Sequence, residues 1–184
     1  MTTPGELRDC SISLVRANVI VVAFSLPAAV ILYLLFLFLA PRSSSAPTPV
    51  SPGNAVLFGF LLIAGILLHE LLHAAGWIVF GRQARRRVQF GFKLNTLTPY
   101  AHLQSAIPAG AYRMGVLLPL LILGLPPYML GIVLAERLIT VYGLFFILAA
   151  GGDLLVLWLL RGVPAGVMVQ DHPSKAGCLV QELT

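Results

Sequence analysis

Two histidines and a glutamate stand close together in an otherwise apolar stretch, as His69-Glu70-Leu71-Leu72-His73. In an α-helix, residues four positions apart lie on the same face, so both imidazoles can bind one zinc ion. Glu70 is rotated by about 100° from His69, which keeps its carboxylate near the metal and free to take a proton from water. The spacing therefore predicts the centre of a zinc-dependent hydrolase. A buried polar cluster that joins helices or conducts protons is the alternative.

The motif supplies two ligands, whereas a catalytic zinc site holds three protein ligands and one open position. Val79 stands where a metzincin motif would place its third histidine, so the third ligand must come from elsewhere. Asp153, in Gly151-Gly152-Asp153, is the preferred candidate because it is the only other acidic residue within the long apolar segments. Ionisable groups at membrane depth cost several kcal/mol and by default indicate function. A hydrogen bond between helices is the alternative role for Asp153.

The expected depth in the membrane also favours Asp153 as the third ligand. His73 and Asp153 each lie seven residues before the C-terminal end of a predicted helix, at Phe80 and Leu160. At 1.5 Å per residue, both side chains are expected about 10 Å inside the same boundary of the membrane. Gly151 and Gly152 would let these two helices approach closely, as small residues do in membranes.

Two groups outside the apolar segments complete the candidate site. Asp171, in Asp171-His172-Pro173, is the rival third ligand, and using it would require the C-terminal tail to fold back to the metal. His102 is expected either to contact the substrate or to support a ligand, with an ordinary interfacial histidine as the alternative. The sequence leaves these choices open.

The composition is that of a membrane protein. Hydrophobic residues make up 58% of the 184 residues, charged residues only 10%, and the mean hydropathy is +0.91. Soluble domains carry about 25% charged residues, so a soluble chain could not cover this apolar surface. The net charge of +5 is better explained by anionic lipid headgroups than by nucleic acid, because the basic residues flank apolar segments.

Four apolar segments are long enough to span the hydrocarbon core, which takes roughly 20 residues. They cover about 19–39, 55–80, 112–134 and 141–160, with a loop at 41–54 rich in proline, serine and glycine. Pro119 and the Pro126-Pro127 pair should kink the third segment. Alternating side chains at 88–94 predict a strand within a polar insert at 81–110. We therefore expect one all-α membrane domain, a bundle of about four transmembrane helices with a small cytoplasmic β-like insert and a cytoplasmic tail at 161–184.

Basic residues predict the orientation of the chain. With the N-terminus in the cytoplasm, ten of the twelve lysines and arginines fall on the inside, and only Arg42 and Arg137 fall outside. Positive charge accumulates in cytoplasmic segments of membrane proteins. Both termini and the insert are therefore predicted on the cytoplasmic side of the cell membrane.

Four sequence elements resemble those of the Putative zincin peptidase family. They are the histidine motif described above, Pro99-Tyr100-Ala101-His102, Gly152-Asp153, and Asp171-His172-Pro173 followed by Gly177. The family is similar in plan to intramembrane metalloproteases of the site-two type, which carry the histidine motif on one membrane helix and an aspartate ligand on a later one. Those proteases usually have Asn-Pro-Asp-Gly around that aspartate, where this chain has Gly-Gly-Asp-Leu.

The resemblance implies a zinc-dependent membrane endopeptidase. His69, His73 and Asp153 would hold Zn²⁺, and Glu70 would act as the general base. The substrate would be a membrane protein or peptide at the bilayer, whereas the oligomeric state is not predicted. A metal transporter or a metal-stabilised scaffold is the non-enzymatic alternative.

Overall fold

The computed structural model describes residues 7–41, 51–82, 87–93 and 98–181. Within these residues, four helical segments are long and apolar enough to cross a membrane. Each overlaps a predicted span, so the prediction of four such helices is confirmed. The segments cover Leu14–Leu39, Pro52–Phe80, Ala109–Leu134 and Arg137–Leu159.

Helices α1 (Leu14–Leu39) and α2 (Pro52–Phe80) begin at serine caps. The hydroxyl of Ser51 accepts a hydrogen bond from the Asn54 amide, and Pro52 suits the first turn because that turn needs no donor there. The predicted loop at 41–54 is therefore too long at its C-terminal end, and its residues 42–50 lie outside the described part. Large apolar side chains such as Phe24 and Phe38 are 75% and 83% exposed, as expected for a surface that faces lipid.

The third segment contains α3 (Ala109–Pro119), a π-helical turn (Leu120–Gly124) and α4 (Leu125–Leu134). The prolines that predict a kink lie at the two ends of this turn. Proline has no amide hydrogen, so the regular bonding pattern cannot continue through it. The chain adapts by widening the helix, and the amide of Leu125 bonds to the carbonyl of Leu120.

The fourth segment contains α5 (Arg137–Ala149) and α6 (Gly151–Leu159), which are interrupted at Ala150. A short connection through Ala135, in a left-handed conformation with φ 55°, joins α4 to α5. Gly131 of α4 faces Thr140 of α5 so closely that a Cβ on the glycine would collide with it. The two segments thus form the antiparallel pair that the short connection indicates.

Helix α2 packs against α3 at a pair of glycines. A Cβ on Gly76 would collide with the Cα of Gly115, so the two backbones touch here. The expectation that Gly151 and Gly152 bring the second and fourth segments together is wrong, because Gly152 faces open space and Gly151 lies against Val21 and Ser25 of α1. Spacing along one segment cannot show which of its faces meets a neighbour.

Two antiparallel sheets lie at one end of the helices. A hairpin joins β2 (Val88–Lys93) to β3 (Thr98–Leu103), which confirms the strand predicted at 88–94 except for Leu94, outside the described residues. The other sheet has the order β1-β6-β5-β4. Its strands are β1 (Leu7–Ile12), β4 (Ile107–Pro108), β5 (Met168–Asp171) and β6 (Ala176–Gln181).

The four-stranded sheet corrects the expectation that β structure is confined to the insert. Its strands come from both ends of the chain, and Cys10 of β1 lies directly opposite Cys178 of β6. Both cysteines are free thiols. The tail is therefore a folded part of the molecule, which brings its residues near the helices.

Candidate metal centre

His69, His73 and Asp153 converge between α2 and α6. The Nε2 atom of His69 lies 3.2 Å from Oδ2 of Asp153, and Nε2 of His73 lies 3.2 Å from Oδ1. Each residue offers one possible ligand atom, and these atoms all lie within 4.8 Å of one another. Among the described residues, this is the one group of three or more such side chains that could hold a metal ion.

The chemistry of these three groups fits a divalent metal. Both histidines are buried, and neither Nδ1 of His69 nor Oδ2 of Asp153 has a hydrogen-bond partner of good geometry among the described residues. Zinc bonds of about 2.0–2.1 Å at tetrahedral angles place donor atoms about 3.3 Å apart, close to the separation between each imidazole and the carboxylate. Two imidazoles and a carboxylate are also an established ligand set for catalytic zinc.

Local structure explains how the ligands are presented. The helical spacing of His69 and His73 puts their ring centroids 4.8 Å apart, with one ring edge-on to the other. Asp153 lies in the first turn of α6, where unpaired amides favour an acidic side chain. The interruption at Ala150 creates this helix start within a segment that the sequence predicts as continuous.

Glu70 lies beside the ligands but is not one of the three metal-binding candidates. Its carboxylate is partly buried, and Oε2 accepts a 2.6 Å hydrogen bond from the amide of Ala101 on β3. The hairpin therefore reaches back to α2 at the position of the predicted base. One carboxylate oxygen is held by this charge-assisted bond, which fixes the orientation of the group.

The rival ligand Asp171 is held by another set of contacts. Its Oδ2 accepts a hydrogen bond of 2.8 Å from the amide of Leu103, and its Oδ1 accepts one of 2.5 Å from the hydroxyl of Tyr112. His102 is close by, with Nδ1 3.5 Å from Oδ2 of Asp171. Burial raises the pKa of the Asp171 carboxyl, while these contacts oppose the rise. The tail does fold back, but Asp171 is not grouped with His69 and the other candidate ligands.

A cleft of about 610 Å³ extends from the group of His69, His73 and Asp153 to Asp171. All six residues singled out from the sequence line it, together with the turn that follows β5. Its lining includes His69, Glu70, His73, Gln89, Tyr100, His102, Asp153, Asp171, His172 and Lys175.

Three groups of this region are absent from the sequence-based site. They are the backbone amide of Ala101, the hydroxyl of Tyr112 and the carbonyl of Gly115, which lies 3.1 Å from Nδ1 of His73. Two of these three are backbone groups, which leave no signature of residue type and therefore cannot be found from a motif. For Gly115 the only local signal is Pro119, four residues later.

The model of the Putative zincin peptidase family matches residues 62–168, which is more than half of the chain. The matched region includes the histidine motif, His102 and Asp153, while Asp171 lies just beyond it. No curated protein and no solved structure matches the chain. The resemblance to proteases of the site-two type therefore stays a prediction from sequence.

Proposed function

Because the chain belongs to the Putative zincin peptidase family, we propose that it is a zinc-dependent endopeptidase embedded in the membrane. The observation that carries this proposal is the convergence of His69, His73 and Asp153 beside Glu70 in an open cleft. A site that served only to hold helices together would need neither the cleft nor an additional carboxylate. The substrates are peptide bonds of membrane proteins or of peptides close to the bilayer.

His69, His73 and Asp153 are the residues that would hold zinc. When bound, zinc supplies Lewis acidity, which polarises a peptide carbonyl and lowers the pKa of water. Two neutral imidazoles and one carboxylate give the protein ligands a single negative charge. This set leaves a fourth position for the reacting groups.

Glu70 is the general base. Its carboxylate takes a proton from the attacking water and then gives that proton to the nitrogen of the leaving amine, so that the residue ends the cycle ionised. The hydrogen bond from Ala101 to Oε2 holds the carboxylate in the cleft that Glu70 lines. A base that is already oriented does not have to be ordered during the reaction.

His102 is proposed as a substrate contact. The side chain lines the same cleft as Glu70, and Asp171 lies within ion-pair distance of its Nδ1. A carboxylate beside one ring nitrogen fixes the orientation of an imidazole. The other nitrogen is then presented to the polar groups of a bound peptide.

Both termini and the insert are proposed on the cytoplasmic side of the cell membrane. The excess of lysine and arginine in these segments favours the cytoplasmic side of the membrane. The four-stranded sheet supports a shared location, because strands of one sheet must lie on the same side of the bilayer. That sheet combines the N-terminal strand Leu7–Ile12, the end of the insert at Ile107–Pro108, and both strands of the tail.

Zinc content and proteolysis measured on one purified sample test the proposal. The wild-type chain in detergent should contain a stoichiometric amount of zinc and should cleave members of a panel of membrane-spanning peptides. A chelator should abolish cleavage, and added zinc should restore it. Zinc-loaded, folded protein that cleaves no member of a broad panel would favour the transporter or scaffold instead.

A further inference from the structure

The backbone of α3 orients one of the two candidate histidine ligands. Nδ1 of His73 lies 3.1 Å from the carbonyl oxygen of Gly115, and the contact is buried. A carbonyl can only accept a hydrogen bond, so Nδ1 must carry the proton. In the neutral imidazole, Nε2 then keeps its lone pair, and this is the atom that faces Asp153. The contact selects the tautomer that a metal requires.

This carbonyl is available because of a proline. In a regular α-helix the carbonyl of Gly115 would accept a hydrogen bond from the amide four residues later. That residue is Pro119, which has no amide hydrogen. The next amide, of Leu120, donates to the carbonyl of Leu117 instead. Neither of these two amides competes with His73 for the Gly115 carbonyl.

Close helix packing puts the carbonyl within reach. The backbones of Gly76 and Gly115 touch, so the carbonyl of α3 approaches the imidazole of α2 directly. One turn away, Nε1 of Trp77 donates a 3.3 Å hydrogen bond to the carbonyl of Tyr112. The indole ring stacks on the ring of His73, with centroids 5.7 Å apart and an interplanar angle of 14°. These contacts hold the imidazole in one orientation.

His69 lacks such support. Its Nδ1 has no hydrogen-bond partner among the described residues, although it lies on the same helix one turn before His73. The orientation of the ligand pair therefore depends mainly on His73 and on the backbone that it contacts.

We propose that Pro119 is a positioning residue of the metal centre: by leaving the Gly115 carbonyl without a helical donor, it reserves that carbonyl for His73. The inference rests on the metal site of the proposed function. Removing such an outer contact typically lowers metal affinity by about 10- to 100-fold. Pro119→Ala introduces a donor that draws the carbonyl back towards the helix axis, and zinc affinity should fall by that factor.

Two replacements of Pro119 separate the effect of a new N–H donor from the effect of losing the proline ring. Replacing Pro119 by alanine adds a methyl side chain and an N–H group, whereas replacing it by lactic acid adds the same methyl group with an ester oxygen and no N–H. Pro127→Ala is the control for loss of a proline elsewhere in the same segment. Two quantities are measured, zinc affinity by competition with a chelator, and the rate at which the Nδ1 proton of His73 exchanges with solvent, which reports the hydrogen bond to the Gly115 carbonyl with or without metal.

We expect Pro119→Ala to bind zinc about 10- to 100-fold more weakly and to exchange the Nδ1 proton of His73 with solvent faster than the wild type does. The lactic acid replacement and Pro127→Ala should both behave like the wild type. Equal losses in the alanine and lactic acid proteins, or wild-type behaviour in both, would overturn the proposal. A wild-type protein that binds no zinc would refute the proposed function, and the exchange rate of the His73 Nδ1 proton measured without metal would still decide the role of Pro119.

Discussion

The amide of Ala101 donates a 2.6 Å hydrogen bond to Oε2 of Glu70, and this bond joins strand β3 to helix α2. The amide of Leu103, two residues later on the same strand, donates to Asp171. Amides two residues apart lie on one edge of a strand, so this edge of β3 faces acidic side chains rather than β2. The hairpin thus supports the carboxylates of Glu70 and Asp171 through its backbone.

Ala101→Pro should lower peptidase activity without removing zinc. Proline deletes the donor to Glu70, and because the Ala101 amide does not bond to β2, the pairing of the hairpin should survive. Pro99 already occupies the same edge of β3. The loss of one hydrogen bond to a charged group, worth about 1.5–3 kcal/mol, should reduce kcat roughly 10-fold or more. Full activity at wild-type zinc content would show that the bond has no role in orienting the base.

Asp153→Ala should empty the metal site, whereas Asp171→Asn should leave zinc bound. Asp153 contacts both imidazoles, while Asp171 is held by Leu103 and Tyr112. Zinc content of the two purified variants is compared by elemental analysis, with thermal unfolding as the check on folding. The opposite pattern, with zinc lost only from Asp171→Asn, would assign the third ligand to the tail.

Single cysteines should report the orientation of the chain. Ser44→Cys should react with impermeant thiol reagents added outside intact cells, and Arg86→Cys should react only after the membrane is permeabilised. Cys10→Ser removes the more accessible native thiol. Cys178 can remain because it is buried and its pKa is raised to about 12, which leaves almost no reactive thiolate. The reverse labelling pattern would place the metal centre near the outer face.

Gly143→Ala should destabilise the antiparallel pair of the third and fourth segments. A Cβ at Gly143 would collide with the backbone of Tyr128, which cannot move as a side chain could. Overpacking of this kind costs about 1–3 kcal/mol, so the midpoint of thermal unfolding in detergent should fall. Gly59→Ala is the control, because a Cβ there meets open space. Equal unfolding temperatures for both variants would show that the two helices can separate at no cost.

The sequence could predict the parts of the site that depend on local spacing. Helical periodicity alone places His69 and His73 on one face, and segment length alone gives the four apolar helices. Asp153 required an argument from depth, because its contact with the histidines is tertiary. The pairing of β1 with β6 joins the two ends of the chain, and strands of six residues carry too little pattern to predict such a partner. The hydrogen bonds from Leu103 and Tyr112 to Asp171 also join distant parts of the chain, and no local pattern could predict them.

The activity of Glu70→Gln at known zinc content distinguishes a zinc peptidase from a protein that only binds the metal. Glutamine is nearly isosteric and can still accept the hydrogen bond from Ala101, so the fold and the metal should be retained. It cannot take a proton from water, and loss of a general base typically costs 10² to 10⁴ in rate. We expect wild-type zinc content with cleavage reduced by about that factor, whereas His69→Ala should lose the metal itself. Unimpaired cleavage by zinc-loaded Glu70→Gln would show that Glu70 is not the general base.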